Sequence, residues 1–561
     1  MAVEKLSSFC FRNVCPNNVM MVIVPHEDDE INLAGASIYA ARKEGLRVVC
    51  IFVTNGDWDI PASVRIEEAV KSLSCLGVSP EDIVFLGYPD GGTNGERSIF
   101  YARERGNKFN VNRKTEIHLC RNYNNYHYHY YKNTTYNQLT WDSVIYDIKE
   151  IILQNKPDLI MATDFDSHPD HRAVSMAVET AMGEILNADE GYRPLVLKGF
   201  CYSTSYNSID DFKEINLLSS LVNRERIYDS SYQVDNPVYL WDKRIRIPVY
   251  PAVRDKCLFS NVIFRSLACH LSQKAVHKAG RIINGDQVFW LRRTSNLAYS
   301  GEIDASSGNP KYVHDFLILT TGDILSKHPK FDSAIWSPTK QDKEKWIRCT
   351  FSRPHDIKAM AFYGNVENKQ GRILKGKITF SNGYELCIGP IERFGRETMV
   401  TFPEQKNITW IKFKILQFEG ECAGLTEWEI LDEITPQPLN ILQICIDNQF
   451  AYSWLLERNK DYYISAYQSN TIGTVQWYIN GNLINDGRKD WDINQASLKT
   501  KTTIRIMIKE RPDIWCEAHI KPITIIDKIC MAAQRSSGKF LIWYIHQLER
   551  KTHRIIKKMK R

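Results

Sequence analysis

The chain is short of several things, and each shortage excludes something. Its 14 cysteines never form a C-x-x-C pair and follow no regular spacing, which argues against a zinc ribbon or a disulfide framework and for buried free thiols in reducing surroundings. No stretch reaches the roughly 18 uncharged apolar residues of a membrane-spanning helix. Met1 to Pro16 lacks a basic start followed by an apolar core, so no secretory leader is expected there and a cytoplasmic location is. Charge of one sign is also scarce, at +6 over 561 residues. From Asp527 to the end there are ten Lys/Arg against two Asp/Glu, so the basic excess belongs to the tail. The rest is slightly acidic, which excludes a nucleic-acid groove along its body. At this length a single core is excluded too, and three or four domains are expected.

What is present is an apolar run, Val19 to Val24, that stops at Pro25-His26-Glu27-Asp28-Asp29-Glu30. Such a run reads as a buried parallel strand, and open α/β sheets place their sites at the carboxyl ends of strands. Four carboxylates packed at a buried strand end repel one another unless a cation holds them. A second half-site, His168-Pro169-Asp170-His171, follows the apolar run Leu159 to Ala162. Two imidazole nitrogens and a carboxylate oxygen, with a fourth position open to water, are a donor set for catalytic zinc.

These motifs resemble those of the PIG-L/LmbE-like N-deacetylase family, P-H-P-D-D-E and H-P-D-H. The second matches in full, and the first departs only at Glu27, which stands where the family has proline. Thr54-Asn55-Gly56-Asp57, Arg65-x-Glu67-Glu68, Leu76-Gly77 and Gly87-Tyr88-Pro89-Asp90-Gly91 add to the likeness, which runs over about the first 295 residues. The resemblance implies that His26, Asp29 and His171 hold Zn²⁺. It makes Asp28 the general base, and His168 the group that stabilises the oxyanion and assists the leaving amine. Asp170 is expected behind an imidazole as its partner, and Arg65, Asp57 and Asp90 are candidate substrate contacts.

Strand-like and helix-like runs alternate from residue 19 to about 175, which implies right-handed βαβ units and a parallel sheet. The expected fold class is therefore multidomain: a Rossmann-like α/β catalytic domain at 1–294, then two all-β domains and a basic helical tail. Asn296-Leu297-Ala298, Trp336-Ser337 and the closing Gly424 to Ile430 resemble a discoidin-type jelly roll, placed at 295–435, whose usual ligand is a glycan. Alternating runs around Tyr463 to Tyr467 and Thr474 to Tyr478 read as an immunoglobulin-like sandwich at 440–522, with Trp477 in its core and a hairpin turn at Asn480-Gly481. Residues 523–561 are the tail. Within the catalytic part, a Tyr- and His-rich insertion (118–136, with Tyr123, Tyr126, Tyr128, Tyr130, Tyr131 and Tyr136) reads as a packed aromatic lid or a sugar-facing wall. His127 and His129 take no assigned role, and Arg244 and Arg246 read as solvated surface.

The function expected is zinc-dependent removal of acetyl from an N-acetylated sugar of the N-acetylglucosamine type, in a glycan, lipid-linked or glycoconjugate substrate. The β-rich half is expected to position that substrate, so a chain ending near Arg293 is expected to keep the chemistry. Two alternatives stand beside it: a glycan-binding protein with a vestigial deacetylase domain, and an amidase of thiol conjugates. Aliphatic and aromatic residues interleave with basic ones from Phe540 onward, which makes peripheral contact with an anionic membrane at its cytoplasmic face a further expectation.

Overall fold

Val19–Val24, Arg47–Thr54, Ile83–Tyr88, Leu159–Thr163 and Leu195–Gly199 (β1 to β5) lie side by side as one parallel sheet in the computed structural model. Two later strands, Ile245–Pro248 (β6) and Asp286–Arg292 (β7), join antiparallel and give the order β3-β2-β1-β4-β5-β7-β6. The structure describes residues 9–91, 128–134, 139–202, 206–207, 214–222, 238–321, 331–332, 334–366, 371–420, 423–434, 439–457, 460–470, 473–487, 490–493 and 500–559. Of the Tyr/His-rich insertion, Tyr123, Tyr126, His127 and Tyr136 lie outside them.

Alternation along β1 shows why the sheet is covered on both faces. Met20, Val22 and Val24 point into a core built with Asp29–Lys43 (α1) and Ala62–Cys75 (α2). Met21 and Ile23 point into a second core built with Trp141–Asn155 (α3) and Pro169–Ala188 (α4). Side chains of a strand alternate faces, so a strand buried on both must be apolar throughout. Because β1 has β2 on one side and β4 on the other, chain connections leave it in opposite directions. That opens a crevice at the carboxyl ends of β1 and β4.

The β-rich half begins with six strands: Glu302–Ala305, Trp346–Gly364, Arg372–Phe380, Glu385–Ile388, Glu397–Glu419 and Leu425–Leu431. They pair antiparallel over a core holding Trp336 and Trp428. Beyond residue 440 a four-stranded and a five-stranded sheet enclose Trp477, which is fully buried. Asn480 (φ 48°) and Gly481 (φ 87°) make the tight turn between Val475–Ile479 and Asn482–Asp486, the left-handed pair that a two-residue hairpin needs. Ser453–Leu456 pairs parallel with the last strand, Arg511–Pro522. One further helix, Ile525–Met559 (numbered α6 below), follows the last strand.

The β-rich half contributes side chains to both cores of the α/β part. Tyr299, Phe316, Ile318, Leu319, Ala361 and Tyr363 complete the core under α3 and α4. Leu439, Ile441, Phe450 and Tyr452 complete the one under α1 and α2. Arg293 is ion-paired with Glu429 at 2.7 Å and with Glu397. Arg246 is not solvated surface: it is buried, donates from Nε to Asp286 at 2.6 Å, and lies over the Phe450 ring at 3.8 Å. Arg244 packs over Trp241 at 4.1 Å. A chain cut at Arg293 would strip apolar surface from both cores and remove the acids that Arg293 pairs with.

Phe450→Ala is therefore expected to destabilise the whole chain by about 3–5 kcal/mol, in one cooperative thermal transition. A chain ending at Arg293 should not fold cooperatively. Calorimetry that resolves an independent transition for residues 440–522, untouched by the state of the α/β part, would contradict this.

Candidate active site

β1 is followed by Pro25, whose carbonyl accepts from both the Thr54 amide (2.9 Å) and the Thr54 hydroxyl (3.0 Å). With the strand end tied to β2, the chain turns sharply through Asp28 (φ 139°) into α1. β4 ends at Thr163 and passes through Asp166 to His168, which caps α4. The two strands are neighbours, with Ile23 opposite Ala162, so the two motifs meet. Ring centroids of His26, His168 and His171 lie 4.7–5.3 Å apart.

Each imidazole is oriented by a partner. His171 Nδ1 lies 2.7 Å from Asp166 Oδ2. Burial would raise the Asp166 carboxyl, but His171 and backbone amides hold it low. Being ionised, it can only accept, so Nδ1 carries the proton and the Nε2 lone pair is exposed to the cavity. That Nε2 is buried, has no hydrogen-bond partner, and stands 3.2 Å from Asp29 Oδ2. His26 places Nε2 at 3.2 Å from Asp170 Oδ2 and 3.6 Å from Asp90 Oδ1, and turns Nδ1 to the same Asp29 oxygen at 3.0 Å. Gly91 N–H braces Asp170 at 2.8 Å.

Two nitrogen donors thus flank one carboxylate oxygen at 3.0 and 3.2 Å. Zinc–ligand bonds of about 2.0–2.1 Å at a tetrahedral ion put ligand atoms about 3.3 Å apart, so each nitrogen–oxygen separation suits such an ion; among the described residues, the groups whose ligand atoms all lie within 4.8 Å of one another are His26, His168 and His171, then His26, Asp90, His168 and Asp170, and then Asp29, His171 and Cys201. The electrostatics agree. Burial pushes the His171 imidazole down, yet Asp166 and Asp29 outweigh it and lift it to about 9. His26 is lifted in the same way, against burial, by Asp90, Asp170 and Asp29. Burial raises the Asp29 carboxyl, but His171 and His26 hold it well below the usual range. A site that pulls positive charge onto its imidazoles this strongly is one a divalent cation can fill. Cys201, just past β5, also comes within reach of Asp29 and His171. Nothing in its sequence surroundings marks it.

His168 differs from the other two. Its Nδ1 accepts the Asp170 amide at 3.2 Å, which leaves any ring proton on Nε2. Burial, and then His26 and His171, depress it to about 4. It is a neutral donor at neutral pH.

Asp28 is held from two sides, by Lys278 Nζ at 2.6 Å from Oδ2 and by Arg65 at 3.1 Å from Oδ1. Burial raises its carboxyl, but Lys278 first, and Arg65 and His270 after it, bring it below the usual range. Arg65 reaches the carbonyls of Glu27 (2.5 Å) and Gly56 (3.3 Å) as well. It is a clamp inside the loop. Asp90 lies among His26 and Arg65, and Asp57 accepts the Asp90 amide at 3.0 Å, so Asp57 holds the loop that carries Asp90. Glu27 is buried without a hydrogen-bond donor on either oxygen, 3.6 Å from Arg65 Nε. Burial lifts its carboxyl to about 8 against the pull of Arg65. A Cβ at Gly56 (φ 58°) would run into Glu27 and Arg65, so that position needs glycine.

Lys278, Asp166, Cys201 and His270 were not expected from the sequence, nor was Tyr202, whose ring lies 4.4 Å from that of His171 and whose amide donates to Asp166 at 3.0 Å. Asp166 could have been found, being an acid two residues before the second motif. Lys278 could not, since 250 residues separate it from Asp28. In the insertion, His129 Nδ1 meets buried Asp147 at 3.1 Å and the Tyr128 hydroxyl meets Gln154 at 3.0 Å. This part of it packs on α3.

Residues 21–182 match the family described as PIG-L: GlcNAc-PI de-N-acetylase, and that part of the chain is a PIG-L family domain. Residues 296–431 match a domain of unknown function, DUF7402. Among solved structures, the chain is similar to the N,N'-diacetylchitobiose deacetylase of Pyrococcus horikoshii, at 16% identity over 49% of this chain and 84% of that one, with a TM-score of 0.27. A deacetylase triple mutant of the teicoplanin biosynthetic pathway gives 14% identity, 49% and 98% coverage, and a TM-score of 0.27. The family 32 carbohydrate-binding module of C. perfringens NanJ, in complex with galactose, gives 18%, 23% and 92%, and 0.19. A comparison with curated proteins finds no match.

Asp166→Ala should free the His171 ring and weaken divalent-metal binding by about 10–100-fold. Competition against a chelator measures this, and unchanged affinity would contradict the orienting role.

Proposed function

We propose that this chain is a zinc-dependent N-deacetylase that hydrolyses the acetamide of an N-acetylated sugar. The observation that carries the reading is the convergence of His26 Nδ1, Asp29 Oδ2 and His171 Nε2 at the carboxyl ends of β1 and β4, within a PIG-L family domain. Zinc, when bound there, lowers the pKa of water from about 15.7 to about 7 and polarises the acetamide carbonyl.

The chain's own groups do the rest. Asp28, one residue from the ligand Asp29, is kept ionised by Lys278 and Arg65 and takes the proton of the attacking water on a carboxylate oxygen. His168, held neutral with its proton on Nε2, donates to the oxygen that becomes negative when the carbonyl is attacked. Such a donor is effective because it is aimed before charge develops. Asp170 and Asp166 keep His26 and His171 in the tautomers that leave a lone pair for the metal. Substrate recognition falls to the crevice rim, with Asp90 and Arg65 at its floor, and we assign glycan binding by the β-rich half to the same substrate.

Incubation with a panel of N-acetylated glycans should release acetate. Asp28→Asn should retain metal and lose about 10²–10⁴-fold in rate, while His26→Ala and His171→Ala should lose the metal itself. Full activity of the Asp28→Asn protein, or no acetate from any N-acetylated sugar by the metal-loaded chain, would overturn the reading.

A further inference from the structure

The last helix, α6, runs 35 residues from Ile525 to Met559, about 52 Å at 1.5 Å per residue. One face is committed to the protein. Ile545, Glu549 and Ile556 are buried, Leu541 and Ile542 pack against the core under α1 and α2, and Gly538 lies on Leu258. At 3.6 residues per turn, Ile525, Ile529, Phe540 and Trp543 fall within about 60° of one another on roughly the opposite face. That face is apolar and open to solvent, with Ile525 78%, Ile529 63%, Phe540 62% and Trp543 55% exposed. Ile526 and Tyr544 flank it, also exposed, and so does Phe259 beside Leu258.

The charge around this stripe is of one sign. Lys528, Arg535, Lys539, Arg550, Lys551, Arg554, Lys557 and Lys558 are all exposed. The helix holds two acids: Glu549 is buried and Asp527 is tied to Lys521 and Thr524. A second copy docking through the same face would set eight cations against eight. An anionic surface with an apolar interior meets both the charge and the stripe. Among the described residues no helix is long and apolar enough to cross a membrane, so the geometry is that of a helix lying in an interface.

We propose that α6 docks the folded protein flat onto an anionic lipid bilayer, with Phe540 and Trp543 inserted among the headgroups and the flanking lysines and arginines on the lipid charges. The proposal is independent of the chemistry assigned to the crevice, because none of these residues belongs to it.

The test uses the full chain, sedimented with phosphatidylcholine vesicles that either contain or lack phosphatidylserine. The chain should partition onto the serine-lipid vesicles at low salt and leave them at high salt, as screening of surface charge requires. Phe540→Ser with Trp543→Ser should cut partitioning at least about tenfold, and Lys551→Glu with Lys558→Glu should do the same. Both pairs are solvent-exposed, so thermal unfolding should match the parent. Binding that ignores the serine lipid, or that survives both pairs of substitutions, overturns the proposal. No vesicle binding, with a concentration-dependent dimer that the Phe540/Trp543 pair abolishes, overturns it in favour of contact between copies.

Discussion

Asp28, Asp29, Asp90, Asp166 and Asp170 crowd with three imidazoles into one buried pocket where β1 and β4 end. Charge of one sign at such density is tolerable only when matched, because burial removes the solvent that would screen it. The fold answers in three ways. Lys278 and Arg65 neutralise Asp28 from two sides. Backbone amides of Gly91, His168 and Tyr202 spend themselves on Asp170 and Asp166. What is left faces inward as two nitrogen lone pairs around the oxygen of Asp29, an arrangement that only protons or a cation can satisfy. The sheet order, the turn at Asp28 and the cap of α4 all serve to hold that arrangement.

The same constraint explains why the β-rich half is bound so firmly to the α/β part. Lys278, which holds Asp28, sits on the segment between α5 (Val262–Leu267) and β7, whose strand Asp286–Arg292 is packed by Phe450 and Tyr452 through Arg246, Asp286 and Gly285. Glu30 and Glu68, behind the site, are held by His270 and Ser272 of that segment. Support for the Asp28 carboxylate therefore extends into residues that read, in sequence, as a separate module.

Legibility in the sequence follows sequence separation. The parallel sheet was readable because each strand is a contiguous apolar run and each motif directly follows one. That His26, Asp29 and His171 are neighbours was readable for the same reason, and Asp29 Oδ2 lies 3.0 Å from His26 Nδ1 and 3.2 Å from His171 Nε2. Asp170 as the partner of an imidazole was also readable, lying between His168 and His171, and it meets His26. Arg65 and Asp57, expected as substrate contacts, also make hydrogen bonds within the loops around Asp28 and Asp90, which no run of sequence indicates. The buried state of Arg246 was not readable, since its partners Asp286 and Phe450 lie 40 and about 200 residues away. Nor was the shared core, because apolar residues such as Phe316 and Tyr452 look the same whether they pack within their own module or against another.

The lone pairs around Asp29 are proposed to hold a metal. Diffraction from crystals of the metal-loaded protein, with data on both sides of the zinc absorption edge, tests it directly. A single strong anomalous peak per chain is expected within bonding distance of His26 Nδ1, Asp29 Oδ2 and His171 Nε2. A peak elsewhere in the crevice, or a site empty of anomalous signal with zinc in excess, would contradict it.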